Sequence, residues 1–336
     1  MDVLVQLPLS EEQRERLEAA APGARFEYVK PRTVTEAADA IVGNVPTEML
    51  AGASGLRLLQ LNSAGYEQYA APGVLPDGCA LCCATGAYGQ AVSEHLFAMV
   101  LSLVKRLPAY QDRQRAHDWC DLGPVTTLRG ARVLVLGAGD IGTHLAGLFA
   151  AMGSSVCGVR SREAAPHHPF DDMGTLSDLP RLLPQAGVVC PVLPSTPQTA
   201  GIAEQAFFDA MRDGAYFANA GRGDLVDQRA LVEALASGHL SGAALDVCTP
   251  EPLPAESPLW DAPNLLLTPH VSGQFHLVVT LDNIVGIAAE NLAQLAAGGP
   301  QKPRERLGAR PAARPAPEDG ARTACGRSRP RGPRRG

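Results

Sequence analysis

The chain has 336 residues, enough to bury a sizeable core in two domains of ordinary size or in one large α/β unit. Its composition, 46% hydrophobic and 19% charged, is that of a folded globular protein and excludes a chain that is disordered throughout. The start carries no basic leader, and the longest apolar run, near residues 96–104, is interrupted by Lys105. These features favour a cytoplasmic protein without a membrane span.

The net charge of −6 is divided unevenly along the chain. Residues 301–336 hold ten arginines and one lysine against three acids, a charge of +8, which leaves −14 for residues 1–300. This basic end is rich in Pro and Gly and has no aromatic residue, so we expect a disordered tail. Nucleic-acid binding by the tail is the less favoured alternative, because no aromatic side chains are interleaved with the arginines.

Eight cysteines raise the question of a disulfide framework or a metal site. Cys79 and Cys82 have C-x-x-C spacing, but the sequence has no second such pair and no histidine close to this one. Five cysteines, Cys82 among them, lie in apolar runs, where a thiol packs as a small hydrophobic group. We therefore expect free structural cysteines in a reducing compartment and no bound metal.

The first hundred residues alternate short apolar runs with helical stretches, which is the pattern of a parallel α/β sheet. Ser10 and Gln13 form a capping box that predicts a helix over residues 11–20. Strands are predicted at residues 3–7, 26–29, 40–42, 56–61 and 80–83. A helix over about residues 90–106 and a further helical stretch bearing Trp119 then lead to the next unit.

A second alternation of strands and helices begins at residue 132. Its strands are predicted at residues 132–136, 155–159, 188–192, 215–219, 243–247 and 265–267. Helices separate these strands, including one over residues 227–237, and a long helix over about residues 277–297 follows the last strand. The pattern predicts a second α/β domain.

A glycine-rich loop joins the first strand of this second domain to its first helix. The G-x-G-x-x-G pattern comprises Gly137, Gly139 and Gly142, with Asp140 and Ile141 between the last two. Such glycines allow a tight turn, close approach of the backbone to a pyrophosphate, and packing of the helix on the strand. The helix N-terminus adds free N–H groups for the phosphates, so the loop predicts a dinucleotide-binding Rossmann domain.

The end of the next strand distinguishes the two nicotinamide cofactors. An acid at this position would accept hydrogen bonds from the ribose hydroxyls, whereas this strand ends in Arg160, Ser161 and Arg162. Two guanidinium groups and a hydroxyl are suited to bind a 2′-phosphate. The sequence thus favours NADP(H), with NAD(H) as the alternative.

Three further strand ends in this domain carry Arg222, Glu251 and His270. With the glycine loop, they resemble the D-isomer-specific 2-hydroxyacid dehydrogenase family over roughly residues 40–297. The match consists of N-x-x-R-G-x-x-V-D, D-V-x-x-x-E-P-L and T-P-H, in the family order. The resemblance implies that Arg222 holds the substrate carboxylate and polarises the 2-carbonyl, and that His270 exchanges a proton with the carbonyl oxygen. Glu251 would bond to His270 and favour the imidazolium.

The resemblance also implies an arrangement of two doubly wound parallel-sheet domains. A Rossmann NAD(P)-binding domain over residues 99–274 would be inserted into a flavodoxin-like substrate domain over residues 1–98, which residues 275–297 complete. The expected substrate contacts are Ser63, Ala64, Gly65 and Tyr88, and the further expected cofactor contacts are Pro194, Thr199 and Asp246. A homodimer is the expected assembly.

The sequence leaves three alternatives open. Formate dehydrogenase shares the fold, but there the catalytic His is paired with a Gln, and this chain has Glu251. A 3-phosphoglycerate dehydrogenase-like enzyme would need further cationic residues in the cleft, and since no convincing set is visible, glyoxylate or hydroxypyruvate is the favoured substrate. A non-catalytic nicotinamide-sensing protein on the same fold is compatible with all the motifs, and only turnover separates it from an enzyme.

Overall fold

Five parallel strands in the first 82 residues form the first sheet. They are β1 (Asp2–Val5), β2 (Arg25–Tyr28), β3 (Ala40–Val42), β4 (Leu58–Gln60) and β5 (Ala80–Cys82), in the spatial order β2-β1-β3-β4-β5. Helix α1 (Glu11–Ala20) begins at the predicted capping box, in which Ser10 Oγ accepts a hydrogen bond from Gln13 N at 3.3 Å. The structure, a computed structural model, describes residues 1–30 and 37–298; the tail expected over residues 301–336 lies outside the described residues.

Two helices connect the first sheet to the second. They are α2 (Gly89–Val104) and α3 (Leu107–Arg115), separated by a left-handed residue, Arg106 (φ 55°). The prediction that the second helical stretch bears Trp119 is wrong, because a left-handed His117 (φ 54°) ends the helix and leaves Trp119 fully exposed beyond it.

Seven parallel strands form the second sheet. They are β6 (Arg132–Leu136), β7 (Ser155–Arg160), β8 (Asp172–Thr175), β9 (Val188–Pro191), β10 (Ala215–Asn219), β11 (Leu240–Leu245) and β12 (Leu265–Leu267), in the order β12-β11-β10-β9-β6-β7-β8. The intervening helices are α4 (Asp140–Ala151), α5 (Leu179–Leu182), α6 (Gln205–Ala210) and α7 (Gln228–Ala236). The strand order reverses between β6 and β9, and ligands of such sheets bind at the carboxyl ends of the strands beside that reversal.

The packing of α2 joins the connector firmly to the second sheet. Phe97 of α2 meets Phe149 of α4 edge to face, with ring centroids 5.2 Å apart. Both helices contribute to one continuous core with β6, which includes Leu96 and Val135. The start of α2, at Gly89, is therefore fixed against the start of α4.

The last helix, α8 (Val278–Ala296), returns to the first sheet. Its buried residues Ile284 and Leu292 share a core with Val3, and Gln13 Nε2 of α1 donates to Asp282 Oδ1 at 2.6 Å. The second sheet is thus inserted between the first sheet and its closing helix, as the resemblance implied. None of the helices within the described ranges is long and apolar enough to cross a membrane.

Candidate active site

A cavity of about 430 Å³ opens between the two sheets. It is bounded by loops that follow β4, β10 and β12 and by the first turns of α2 and α4. Seven residues that the sequence assigned to substrate, cofactor or catalysis line it: Ser63, Ala64, Gly65, Tyr88, Ile141, Arg222 and His270. Residues from both sheets, as far apart in the sequence as Ser63 and Gly273, therefore converge on one cleft.

An imidazole–carboxylate pair stands at one side of this cavity. His270 Nδ1 lies 2.8 Å from Glu251 Oε2, and Glu251 Oε1 accepts a hydrogen bond from Cys248 N at 3.0 Å. Since Glu251 occupies Nδ1, the ring nitrogen left for a ligand is Nε2. The pair is positioned for proton exchange with a group bound in the cavity.

The loop that carries His270 is anchored to Asp246, the residue that follows β11. Asp246 is only 1% exposed. Its Oδ1 accepts hydrogen bonds from Thr268 Oγ1 at 2.6 Å and Val271 N at 3.0 Å, and its Oδ2 accepts from both the N–H and the hydroxyl of Ser272. Its backbone carbonyl accepts from His270 N at 2.7 Å. Both carboxylate oxygens of Asp246 are engaged within the chain, so the cofactor contact expected of this residue stays a prediction.

A histidine on the connecting helix α2 extends this network. His95 Nε2 lies 3.0 Å from Thr268 Oγ1 and 3.7 Å from Asp246 Oδ1. The loop after β12 is thereby tied both to the end of β11 and to α2. Sequence reasoning did not include His95 or Thr268 among the site residues, although Thr268 stands inside the T-P-H motif.

Arg222 is held by the turn that follows β10. Asn219, fully buried at the end of that strand, accepts from Gly221 N at 2.9 Å and donates through Nδ2 to Arg222 O at 2.9 Å. This bracing explains why the motif begins with an asparagine. Arg222 Nη1 donates to Gly221 O at 2.9 Å, and Nη2 lies 3.8 Å from Glu67 Oε1.

The loop after β4 faces Arg222 across the cavity. Asn44 N donates to Asn62 Oδ1 at 2.7 Å and Asn62 N donates to Asn44 Oδ1 at 3.1 Å, which ties the loop to the end of β3. A Cβ atom on Gly65 would lie 2.8 Å from Arg222 Nη2, so a side chain at this position would displace the guanidinium. Within residues 1–30 and 37–298, the N–H groups of Ala64 and Gly65 have no acceptor. Free N–H groups beside a guanidinium form a site for a carboxylate, and here the site also borders the Glu67 carboxylate.

Tyr88 closes the cavity near the start of α2. It is 7% exposed, and its hydroxyl donates to the carbonyl of Asn62. Burial raises the pKa of Tyr88 to about 12. Its ring therefore provides a wall of the cavity, and its hydroxyl stays neutral and engaged.

The glycine loop has the shape that a pyrophosphate requires. A Cβ on Gly142 would lie 2.0 Å from Gly137 O, so α4 packs on the loop only because residue 142 is glycine. Gly137 has φ +110°, and a Cβ there would lie 2.9 Å from Val192 O. A Cβ on Gly139 would meet nothing within 4 Å, which leaves open space at the N-terminus of α4. These residues fit a dinucleotide phosphate at this position.

Asp140 occupies the first position of α4 but turns toward the start of α2. Its Oδ1 lies 3.5 Å from His144 Nδ1, and a Cβ atom on Gly89, at the start of α2, would lie 2.7 Å from the same oxygen. Oδ2 is buried without a hydrogen-bond partner in the described structure. Loss of hydration on burial raises the pKa of this carboxyl. Asp140 thus links the cofactor loop to the connecting helix.

The residues expected around the adenosine and nicotinamide ends lie next to the glycine loop. Arg160, Ser161 and Arg162 are exposed at the end of β7, whose Val159 O accepts from the loop at Gly137 N, 3.0 Å away. On the other side, Thr199 Oγ1 donates to Pro194 O at 2.6 Å and closes the turn after β9. Since Thr199 is buried with its hydroxyl engaged in this turn, direct contact with the cofactor stays a prediction.

The comparisons with known proteins identify the family of the chain. The model of the D-isomer specific 2-hydroxyacid dehydrogenase, NAD binding domain, matches residues 97–272. Glyoxylate/hydroxypyruvate reductase B of Enterobacter sp. (strain 638) is 30% identical over 315 residues, which cover 89% of this chain and 96% of that protein. The chain belongs to the D-isomer-specific 2-hydroxyacid dehydrogenase family.

Solved structures of this family have the same fold. A D-isomer specific 2-hydroxyacid dehydrogenase family protein from Aeromonas salmonicida has a TM-score of 0.77 and 31% identity, covering 89% of this chain and 96% of that one. An NADPH-dependent glyoxylate/hydroxypyruvate reductase from Sinorhizobium meliloti, in complex with NADP and sulfate, has a TM-score of 0.74 and 27% identity, covering 90% and 96%. As a 2-hydroxyacid dehydrogenase, the protein is an NAD(P)-dependent oxidoreductase that acts on CH–OH groups of donors.

Proposed function

We propose that this 2-hydroxyacid dehydrogenase reduces glyoxylate or hydroxypyruvate with NADPH. The observation that carries the proposal is the convergence, in one cavity, of Arg222, His270 with its partner Glu251, and the free N–H groups of the loop after β4. This set provides an anion site and a proton donor within one small cleft. The names of the relatives from Enterobacter and Sinorhizobium meliloti support the same substrate class.

The proposed mechanism assigns a task to each of these residues. NADPH, when bound, supplies the hydride that adds to C2 of the keto acid. Arg222 and the N–H groups of Ala64 and Gly65 hold the substrate carboxylate, and Arg222 also polarises the carbonyl. His270 donates a proton from Nε2 to the carbonyl oxygen, and Glu251 stabilises the imidazolium that is consumed. In the reverse direction the imidazole takes the proton from the 2-hydroxyl.

The charge of the cavity favours a small monoanionic substrate. Among its lining residues in the described chain, Arg222 is the one side chain that is always cationic. A phosphorylated substrate such as 3-phosphohydroxypyruvate brings at least one further negative charge, for which no second guanidinium or ammonium lines the cavity. A phosphoglycerate dehydrogenase-like specificity is therefore the weaker candidate.

A direct assay tests the activity. Purified full-length protein is mixed with NADPH and, separately, glyoxylate, hydroxypyruvate, pyruvate, phenylpyruvate and 3-phosphohydroxypyruvate, and oxidation of NADPH is followed by absorbance. We expect turnover of glyoxylate or hydroxypyruvate with the highest kcat/KM. NADPH binding without turnover of any of these acids would instead indicate a nicotinamide-sensing protein.

The preference for NADP(H) is proposed from the end of β7. Arg160 and Arg162 are exposed there, beside the glycine loop, and no carboxylate replaces them. The double substitution Arg160→Ser and Arg162→Ser is expected to lower kcat/KM for NADPH by about tenfold or more, since charge-assisted hydrogen bonds are worth about 1.5–3 kcal/mol each. The value for NADH should stay near that of the wild type. An NADH preference in the unaltered enzyme would contradict the proposal.

We also propose a homodimer that works in the cytoplasm. A groove of about 870 Å³ runs between α3 and the end of the second sheet, and the exposed apolar side chains Val125 and Trp260 line it. Leu107 and Trp119 are exposed on the neighbouring connector. Exposed apolar surface of this kind is typical of subunit interfaces. Light scattering of the purified protein tests the dimer.

The cytoplasmic location is proposed from the cysteines. The seven described cysteines are free thiols, as expected in a reducing compartment.

A further inference from the structure

An acidic side chain stands inside the proposed substrate site. Glu67 follows the loop after β4 and is the one acid among the residues that line the cavity in the described chain. Its Oε2 accepts a hydrogen bond from Tyr66 N at 2.8 Å, which fixes the carboxylate in place. Its Oε1 lies 3.8 Å from Arg222 Nη2, and the side chain remains 47% exposed.

The carboxylate of Glu67 is close to where the substrate must bind. Arg222 and Gly65 form the expected carboxylate site, and a Cβ on Gly65 would be 3.2 Å from Glu67 Oε2. A substrate whose carboxylate is held by Arg222 therefore lies within a few ångströms of Glu67, close enough for a group on its C3 to contact this side chain. At such distances a second negative charge on the substrate is repelled, whereas a hydrogen-bond donor is attracted.

Three hydroxyl groups of the cavity donate their hydrogens within the chain. The Tyr88 hydroxyl donates to Asn62 O, the Ser272 hydroxyl to Asp246, and the Ser63 hydroxyl to Gly65 O at 2.7 Å. Glu67 Oε1, by contrast, has only the distant Arg222 contact. It is thus an acceptor that remains open for a donor on the substrate.

We propose that Glu67 is a specificity-determining residue of this cavity. It accepts a hydrogen bond from a hydroxyl at C3 of the 2-keto acid and repels substrates with a second anionic group. The inference rests on the proposed function and narrows it, because it selects hydroxypyruvate over pyruvate, which lacks the hydroxyl, and over dianionic keto acids such as oxaloacetate. Glyoxylate, which has no C3, would bind without this contact.

The test compares ratios of kcat/KM, so that any general effect of Glu67 on Arg222 cancels. The four substrates are hydroxypyruvate, pyruvate, oxaloacetate and 3-phosphohydroxypyruvate, each with saturating NADPH. The variants are Glu67→Ala and Glu67→Gln, with Glu48→Gln as the matched control, because Glu48 is an exposed acid in the same domain outside the cavity. Thermal denaturation and NADPH binding establish that each variant is folded.

In the wild type we expect kcat/KM for hydroxypyruvate to exceed that for pyruvate by about tenfold or more, since a charge-assisted hydrogen bond to a substrate hydroxyl gives at least that discrimination. Glu67→Ala should bring this ratio close to one. Glu67→Gln, which keeps an acceptor but removes the charge, should retain part of the ratio and raise oxaloacetate and 3-phosphohydroxypyruvate by about tenfold relative to pyruvate. The control should match the wild type.

The outcomes separate the two claims. If the wild type reduces none of the keto acids, the proposed function is wrong and this inference with it. If the wild type is active but both Glu67 variants keep its substrate ratios, the proposed function stands and the role of Glu67 is refuted. Should both variants fail to fold, Glu67→Asp, which retracts the charge by one methylene, is expected to lower the hydroxypyruvate-to-pyruvate ratio, and an unchanged ratio would count against the assignment.

Discussion

His270 depends on two separate constraints, one on its ring and one on its backbone. Glu251 fixes Nδ1 at 2.8 Å, while the residue itself is left-handed, with φ 52°. A left-handed backbone at a residue other than glycine costs on the order of 1–3 kcal/mol and persists only where the surroundings hold it. Here its N–H donates to Asp246 O at 2.7 Å. The orientation of the imidazole therefore depends on the hydrogen bond to Asp246, which follows β11.

Substitution of the pair should affect the chemical step and leave cofactor binding intact. We expect His270→Asn to lower kcat by about 10²- to 10⁴-fold, because it removes the proposed proton donor. Glu251→Gln should cause a smaller loss, since the amide can still hold the ring but no longer stabilises its charged form. Steady-state kinetics and NADPH titration provide the measurements. Wild-type kcat in His270→Asn would remove this residue from the mechanism.

Asp140 predicts a pH effect on stability. Burial raises the pKa of this carboxyl, so the folded protein binds the proton more tightly than the unfolded chain does. The stabilisation that results from protonation of Asp140 is fully present below the unfolded pKa of about 3.9. It is lost as pH rises through the higher pKa of the folded state. At neutral pH the ionised Asp140 thus destabilises the apoprotein, and Asp140→Asn should raise the melting temperature, with a difference that shrinks toward pH 4.

Asp178 provides a control of opposite sign. The N–H and hydroxyl of Thr175 hydrogen-bond to this carboxylate and lower its pKa. Its contribution is present above the unfolded pKa and is lost as pH falls through the lower folded value. Asp178→Asn should therefore lower the melting temperature at neutral pH, and this loss should diminish in acid. Melting temperatures of both variants between pH 4 and neutrality test these expectations. A change of the same sign in the two variants at neutral pH would contradict the interpretation.

At the scale of elements, the contact between the glycine loop and α4 leaves no room for a side chain at position 142. A Cβ on Gly142 would lie 2.0 Å from Gly137 O and 3.1 Å from Val135 Cγ1. Gly142→Ala should displace the helix N-terminus, weaken NADPH binding strongly and destabilise the fold by about 1–3 kcal/mol. Gly147, in the same helix, has nothing within 4 Å of its Cβ position, so Gly147→Ala should be neutral or stabilising by up to about 1 kcal/mol. Equal NADPH affinity in the two variants would refute the packing argument.

The loop after β12 offers a test of positioning at a distance from the chemistry. Thr268→Val removes the donor to the buried Asp246 carboxylate and the contact with His95. We expect about a tenfold fall in kcat and a loss of stability of about 1–3 kcal/mol. The control is Thr280→Val on α8, because the Thr280 hydroxyl is buried with no partner among the described residues and its removal should stabilise the fold without changing kcat. A wild-type kcat in Thr268→Val would show that the loop keeps its position without the contacts of Thr268 to Asp246 and His95.

The sequence predicted the elements that carry motifs better than those that do not. Strands such as β6 and β10 are apolar runs with sharp ends, and their following turns contain glycine or a braced asparagine. By contrast β8, with the sequence Asp-Met-Gly-Thr, is a partly exposed edge strand without an apolar pattern, and it was not predicted. His95 was missed because it reaches Thr268 across 173 residues of chain, a contact that no local pattern contains. Glu67 was missed because only its position opposite Arg222 in the folded chain makes it part of the cavity.

For the whole molecule, the uneven charge predicts that the basic end is separable from catalysis. The described residues up to 298 contain both sheets, α8 and thirteen residues that line the cavity. A chain that ends at residue 300, with a net charge of −14, is expected to keep the melting temperature and kcat/KM of the full chain. Retention on immobilised heparin at low salt should fall, since eight net positive charges are removed. A large loss of stability in the shortened chain would show that the end packs on the body.

The two chain segments that cross between the sheets, residues 83–88 and 268–277, also supply walls of the cavity, through Tyr88, His270 and Ser272. Any rotation of one domain against the other must pass through these same residues, because the chain has no other crossing in its described part. We therefore expect a substitution that reshapes the pocket for a different acid also to alter how fast the cleft opens and closes. A variant made to change substrate selectivity should then change the rate of product release as well, and both rates should be measured together.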